Sequence, residues 1–506
     1  MNITSFWYFV MLAVSMVLYY GIGHFAKAAQ KYILMAVSVF FYLSVSAGPA
    51  WRTLALLLYI WLVTYIGALA IEKYRNRVAV FVPIFLLVAT LFVLKYLFNI
   101  SGLVLDIFHN YADISFLNFA PFIGLSYFTL SAIGYLVDVN WQTVRATKNA
   151  GEVLLFVLFF PIVISGPVYR FGEMSSQFDR YHELDFDNVS LGIRRMLFGY
   201  FKKLVISERF ALVTERIFAH YNDYSGIVIL VGAACYMVEL YTDFSGCMDI
   251  IMGSAKLFGI ELPENFNAPF FAGSIREFWQ RWHITLGAWF KDYVMYPVQK
   301  SKPFVKLSKS LKKKFGKTTG KKIPMYLAML VLWSLIGIWH GGTLFYFVAS
   351  AAIPFTYLII SDLCQPLFAK MVKALRINTQ SFGYRIFAAL RTMLLLCMIW
   401  LVVCSGSLSG FGAVMKRMFT VFLPFGTKAL SLYDCGLDRI GFVLMVIGFV
   451  VLIVENAMSY KGSDIFHIYR PNFAGRTFMV VAIYVEVLLL MIYGLVGQSA
   501  FIYFNF

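Results

Sequence analysis

The sequence predicts an all-α integral membrane protein with about 11 transmembrane helices plus re-entrant and interfacial helices, and three observations carry that reading. Hydrophobic residues make up 60% of the 506, aromatics 18% and charged residues 14%, where an ordinary soluble domain is about a quarter charged. Apolar stretches of the roughly 20 residues that a helix needs to cross a bilayer recur from end to end, which excludes the shorter alternating pattern of a membrane β-barrel. Lys and Arg gather in alternate connections, as they do in the cytoplasmic loops of a multi-pass chain. With no soluble domain, heptad or internal repeat, residues 1–506 read as one membrane domain.

The formal charge of +17 would suggest nucleic acid in a soluble protein. Here it reports orientation and a preference for membrane lipids, so no nucleic-acid partner is expected. The six cysteines are scattered through apolar runs without metal-ligand spacing, which predicts neither disulfides nor a metal site.

Taken in order, residues 1–5 carry no positive charge before the apolar run 6–22, so a cleaved signal peptide is not expected. Lys27 and Lys31 follow that run and put the N-terminus outside a cytoplasmic membrane. The segments 32–46 and 51–71 lead to Lys73, Arg75 and Arg77, a second cytoplasmic connection. After 78–98 crosses back, 99–118 holds Asp106, His109 and Asp113 but no Lys or Arg, which places it outside; 122–137 then returns toward Arg145 and Lys148.

The next run, 154–164, is short and breaks at Ser165-Gly166-Pro167. Backbone groups freed there need protein or trapped water around them, so the break reads as a re-entrant element lining a cavity, or else as a simple loop. Arg194, Arg195, Lys202 and Lys203 bracket 196–200, which predicts an amphipathic helix on the cytoplasmic interface with its basic side chains reaching headgroups. Glu239, Asp243 and Asp249 continue an apolar run; they are acid/base catalysts or, more simply, partners of Arg194, Arg195 or Arg281.

Pro263 and Pro269 forbid a continuous helix and deliver the chain along the membrane surface to 277–293. A helical period there would put Trp279, His283, Leu286, Phe290 and Tyr293 on one stripe, with an imidazole on the greasy face. Ten lysines then crowd 300–322, and no acidic residue stands between Asp292 and Asp362, which predicts a basic cytoplasmic loop. The span 327–344 has His340 as its only ionisable residue. Spans at 345–360, 385–404, 440–454 and 478–495 complete the chain.

No phosphate-binding glycine loop, catalytic carboxylate pair or nucleophile elbow is present. What remains is a pair of imidazoles in a low-dielectric setting. Such a group takes a proton from an attacking hydroxyl in acyl transfer, relays protons in a coupled transporter, or simply bonds a neighbouring helix. The residues alone leave these open.

The run Phe278-Trp279-Gln280-Arg281-Trp282-His283-Ile284-Thr285-Leu286 with Trp289, Asp292 and Tyr293, followed 57 positions after His283 by Trp339-His340-Gly341, resembles the membrane-bound O-acyltransferase family. Supporting motifs are Ser126-Tyr127-Phe128, Tyr135-Leu136-Val137-Asp138, Ser165-Gly166-Pro167-Val168-Tyr169-Arg170, Tyr241-Thr242-Asp243-Phe244-Ser245-Gly246 and Leu262-Pro263-Glu264-Asn265-Phe266-Asn267, so the likeness covers about 122–346. Within the family the chain looks most similar to the alginate O-acetyltransferase type.

The resemblance implies a helical bundle around a tunnel or funnel, His340 as the catalytic residue and His283 as its assistant on the donor side. It further implies Arg281 holding a carboxylate or a donor phosphate, Trp282 and Trp339 flanking the histidines, and Asp292 and Asp243 in support. The expected reaction is O-acetylation of a surface polysaccharide, through an extracytoplasmic acyltransferase partner, from acetyl-CoA or an acyl carrier protein, with no bound cofactor or metal. D-alanyl transfer toward teichoic acid stays open as well, because the basic segment 300–322 also suits an acidic carrier protein.

Overall fold

A computed structural model describes residues 1–46, 49–97, 122–463 and 485–494. The expected outside segment 99–118 lies outside the described residues, as do 478–484 and 495 of the expected span 478–495, whose described part is helical over 485–493. Among the described residues the backbone is helical, and the one β-like feature is an isolated antiparallel bridge between Phe266 and Trp282.

The first group of helices is α1 (Phe6–Phe25), α2 (Ala29–Val45), α3 (Ala50–Tyr74) and α4 (Arg77–Leu91), the last widening into a π-helical end at Phe92–Leu97. Asn76 caps α4 by accepting the Ala79 amide at 2.8 Å. Then come α5 (Leu125–Asn140), α6 (Ala150–Leu158), α7 (Phe171–Asp179) and α8 (Phe186–Tyr200). Through a π turn, α8 continues into α9 (Glu208–Ala219), and α10 (Gly226–Lys256) follows. The short pair α11 (Ile275–Arg281) and α12 (Ile284–Phe290) leads by way of α13 (Tyr296–Lys300) to α14 (Lys302–Gly341). The chain closes with α15 (Leu344–Ala374), α16 (Phe382–Cys404), α17 (Leu408–Thr420) and α18 (Arg439–Tyr460).

Eight of these are long and apolar enough to cross a membrane: α1, α3, α4 with its π end, α10, α14, α15, α16 and α18. Two further expected spans are shorter. α2 has 17 residues, and α5 has 16, nearly all of them buried by other helices rather than turned to lipid.

The predicted interfacial helix is a different object. α8 packs along α10 through two glycine pairs, Gly192 with Gly253 and Gly199 with Gly246, and a Cβ on Gly199 would stand 2.6 Å from the Gly246 carbonyl oxygen. Small residues let helix backbones touch, and the side chains beyond them are forced into the seam. Lys202 and Lys203, each 2% exposed, therefore point inward rather than to headgroups. Lys202 meets Asp249 at 2.9 Å, Lys203 meets Asp243 at 2.6 Å and Glu208 at 2.8 Å, and Arg195 reaches Asp249 at 3.0 Å and Glu264 at 2.7 Å. Pairing of Asp249 with Arg195 follows the expectation, Asp243 takes Lys203 instead, and Arg281 is engaged elsewhere.

The lysine-rich segment is also not a loop. It is helical as the first part of α14, with the chain redirected at Gly316, whose φ of 79° and ψ of 170° no helix interior allows. Lysine is a good helix former, so ten of them disfavour folding into the core but not helicity. Asp362 of α15 holds its far end, accepting from Lys322 at 2.6 Å and from Tyr326.

Candidate active site

His283 belongs to no helix. α11 stops at Arg281, α12 starts at Ile284, and His283 between them has φ 47° and ψ 52°. A non-glycine residue holds that left-handed conformation only where its surroundings impose it. The predicted single stripe from Trp279 to Tyr293 is thus broken at its centre. The cause is the preceding segment: Asn267 N donates to Arg281 O and Ile284 N donates to Asn265 O, both at 3.0 Å, so a carbonyl and an amide that would have continued the helix are taken by the proline-delivered stretch.

The His283 side chain is 5% exposed, with Nδ1 3.1 Å from Asn265 Oδ1 and the ring 4.8 Å from Phe244. Burial, and after it the proximity of His340, push its pKa well below the ordinary imidazole range, so the ring is neutral. His340 arrives from the other direction, at the C-terminal end of α14, and is half-buried. The Trp339 ring sits between the two, 4.9 Å from His340 and 6.2 Å from His283.

Both histidines border one cavity of about 400 Å³. Its wall is aromatic and aliphatic, with Trp279, Trp282, Trp333, Trp400, Leu286 and Ile336, while Arg276 and Lys291 contribute the cations. A mainly apolar cavity with a few convergent polar groups is the usual form of a small-ligand site. Imidazoles in such a wall can accept and return a proton while water is kept away.

Of the remaining predicted residues Trp282 is part of the cavity wall, while Arg281, Asp292 and Asp243 lie outside it. Arg281 donates from Nε to Glu277 at 3.0 Å and from Nη1 to the Asn267 carbonyl at 3.0 Å, so the carboxylate it holds is Glu277. Trp282 is buried against Phe278 and Phe266. Asp292 pairs with Arg170 at 2.5 Å; that guanidinium lies 4.7 Å over the Tyr293 ring, whose hydroxyl donates to Asp138 at 2.8 Å. Asp243 stays with Lys203. Neither Asp292 nor Asp243 lines the cavity.

The break at Ser165-Gly166-Pro167 is buried and lies against this site, where Val168 N donates to Thr285 Oγ1 at 2.9 Å. Two participants escaped the sequence reading. Lys95, inside the span 78–98, donates to the Trp339 carbonyl at 2.6 Å, and Asn265 holds His283. For Lys95 the signal was available: a cation within an apolar span marks a functional or buried position.

Residues 39–407 match the family model of MBOAT, the membrane-bound O-acyltransferase family. The chain belongs to this family. The matched stretch of this membrane-bound O-acyltransferase is wider than the 122–346 that its motifs carry.

Three relatives are informative. The chain is similar to a probable alginate O-acetylase, AlgI, of Pseudomonas syringae pv. tomato, 32% identical over 310 residues, 61% of this chain and 53% of that protein. It is also similar to a peptidoglycan O-acetyltransferase of Helicobacter pylori, 32% identical over 246 residues and 44% of each chain. A teichoic acid D-alanyltransferase of Streptococcus thermophilus is 27% identical over 367 residues, 70% of this chain and 82% of that protein. The match thus spans little more than half the length of the alginate relative.

Proposed function

We propose that this chain is an acyltransferase of the cytoplasmic membrane, with its N-terminus outside. It moves a small acyl group, acetyl by this reading, from a cytoplasmic thioester donor toward a cell-surface polysaccharide through an extracytoplasmic partner. The observation that supports it is the arrival of His283 and His340, from separate elements, at one apolar cavity. The names of the alginate and peptidoglycan relatives point to acetyl transfer onto polysaccharide.

In this mechanism His340 accepts the proton of the attacking hydroxyl as its oxygen bonds to the acyl carbon. The carbon–sulfur bond breaks, and the departing thiolate takes that proton, so charge and atoms balance. Arg276 and Lys291 on the cavity wall suit the phosphate that coenzyme A and acyl carrier proteins share.

A second reading, D-alanyl transfer toward teichoic acid, is favoured by the alignment across 82% of the Streptococcus thermophilus relative and by the basic arm before the α14 span.

The test compares acyl content of the surface polymer in cells whose only copy is wild type, His340→Ala or His283→Ala at matched membrane abundance. Loss of acylation with His340→Ala is expected, and the acid released from wild-type polymer separates acetate from D-alanine. Persistent acylation in His340→Ala sinks the proposal and favours a transporter.

A further inference from the structure

The hydrogen bonds around His283 can be assigned a direction. Asn265 Oδ1 receives three neighbours: the Thr285 amide at 3.2 Å, the Thr285 hydroxyl at 2.9 Å and His283 Nδ1 at 3.1 Å. A backbone amide can only donate, so the carboxamide atom facing it is the oxygen, which in turn can only accept. Three donors therefore converge on one acceptor, and His283 Nδ1 must carry a hydrogen. The Thr285 hydroxyl fits the same order. It accepts from Val168 N at 2.9 Å and passes its single proton to Asn265.

From this geometry we propose that Asn265 is a positioning residue that locks His283 as the Nδ1–H tautomer, leaving Nε2 as the nitrogen able to accept a proton. The proposal rests on the reading of His283 as part of an acyl-transfer site. In a neutral imidazole the hydrogen bond at one nitrogen decides what the other can do, and a ring with both tautomers populated offers a basic Nε2 for only part of the time. Asn265 acts on more than the proton. Its own carbonyl takes the Ile284 amide, so the same residue holds His283 in its left-handed backbone conformation and sets the ring's proton.

The experiment uses the full-length protein in lipid nanodiscs with 15N-labelled histidine, the His283 signal being assigned by its loss in His283→Gln. Wild type is expected to show a protonated Nδ1 and a bare Nε2. Asn265→Asp, which keeps an acceptor in place, is expected to retain that tautomer, raise the pH at which the ring protonates, and shift the pH profile of acylation upward with it. Asn265→Leu is expected to move His283 toward Nε2–H and to lower surface acylation by roughly ten- to a hundredfold at matched abundance.

A protonated Nε2 in wild type overturns the proposal, and so does an unchanged tautomer in Asn265→Leu. If Asn265→Leu fails to accumulate, Asn265→Asp decides: an unshifted ring pKa and pH profile there overturn the proposal. A tautomer that switches while acylation stays intact upholds the assignment of Asn265 and sinks the catalytic reading of His283, so the two failures are told apart.

Discussion

Gly199 and Gly246 stand backbone to backbone: a Cβ on either would lie 2.6 or 2.7 Å from the other's carbonyl oxygen. No rotamer relieves a clash with main chain, so valine at either site must separate α8 from α10. Gly199→Val and Gly246→Val are expected to lower membrane abundance and melting midpoint sharply. Gly21→Ala, which meets nothing within 4 Å, is expected to change neither. Normal yields of both valine variants would contradict the seam.

Lys203 and Asp243 should behave as a buried pair rather than as chemistry. Removing one member of such a pair typically costs about 3–5 kcal/mol, and Asp243→Ala should fall at the lower end because Glu208 remains 2.8 Å from Lys203. Lys203→Met combined with Asp243→Leu and Glu208→Gln is expected to recover most of the lost stability, as measured by thermal unfolding in detergent. Equal loss in the single and combined variants would argue against simple pairing.

Lys95 is expected to matter through Trp339. Its ammonium donates to the carbonyl one residue before His340 and lies 5.0 Å from the Trp339 ring centre. Lys95→Met should reduce surface acylation by roughly tenfold, the usual scale for a residue that orients a reacting group. Arginine at the same position is expected to keep more activity than methionine. An active Lys95→Met variant at normal abundance would remove Lys95 from the site.

Acidity should destabilise the protein through His283. The folded pKa is depressed by burial and then by His340, while the unfolded chain titrates near about 6.5. Below that value the unfolded state binds a proton that the folded state refuses, so stability present above it is lost as pH falls. Between about pH 7.5 and about pH 5.5 the wild-type melting midpoint is expected to drop further than that of His283→Gln. Parallel drops would mean that His283 titrates normally.

Much of this molecule was legible in its residues. Membrane spans follow from length and hydropathy, and both histidines stand out as imidazoles where lipid or core is expected. The backbone at His283 was not legible, because its partners Asn265 and Asn267 lie in another stretch of chain and override a local helical period. The inward turn of Lys202 and Lys203 was hidden for a related reason. Charge alone suggests a headgroup contact, and only the seven-residue spacing of Gly192 with Gly199, and of Gly246 with Gly253, hints that the two helices touch. Lys95 was passed over inside a span accepted for its overall hydropathy.

The ion network between α8 and α10 also bears on how the protein is made. α10, one of the helices long and apolar enough to cross a membrane, carries Glu239, Asp243 and Asp249. Alone in lipid such a helix is a poor candidate for stable insertion. Its cations, Arg195, Lys202 and Lys203, lie earlier in the chain and so leave the ribosome first. Insertion of α10 is therefore expected to depend on those earlier cations, and a chain lacking 186–207 is expected to insert α10 poorly.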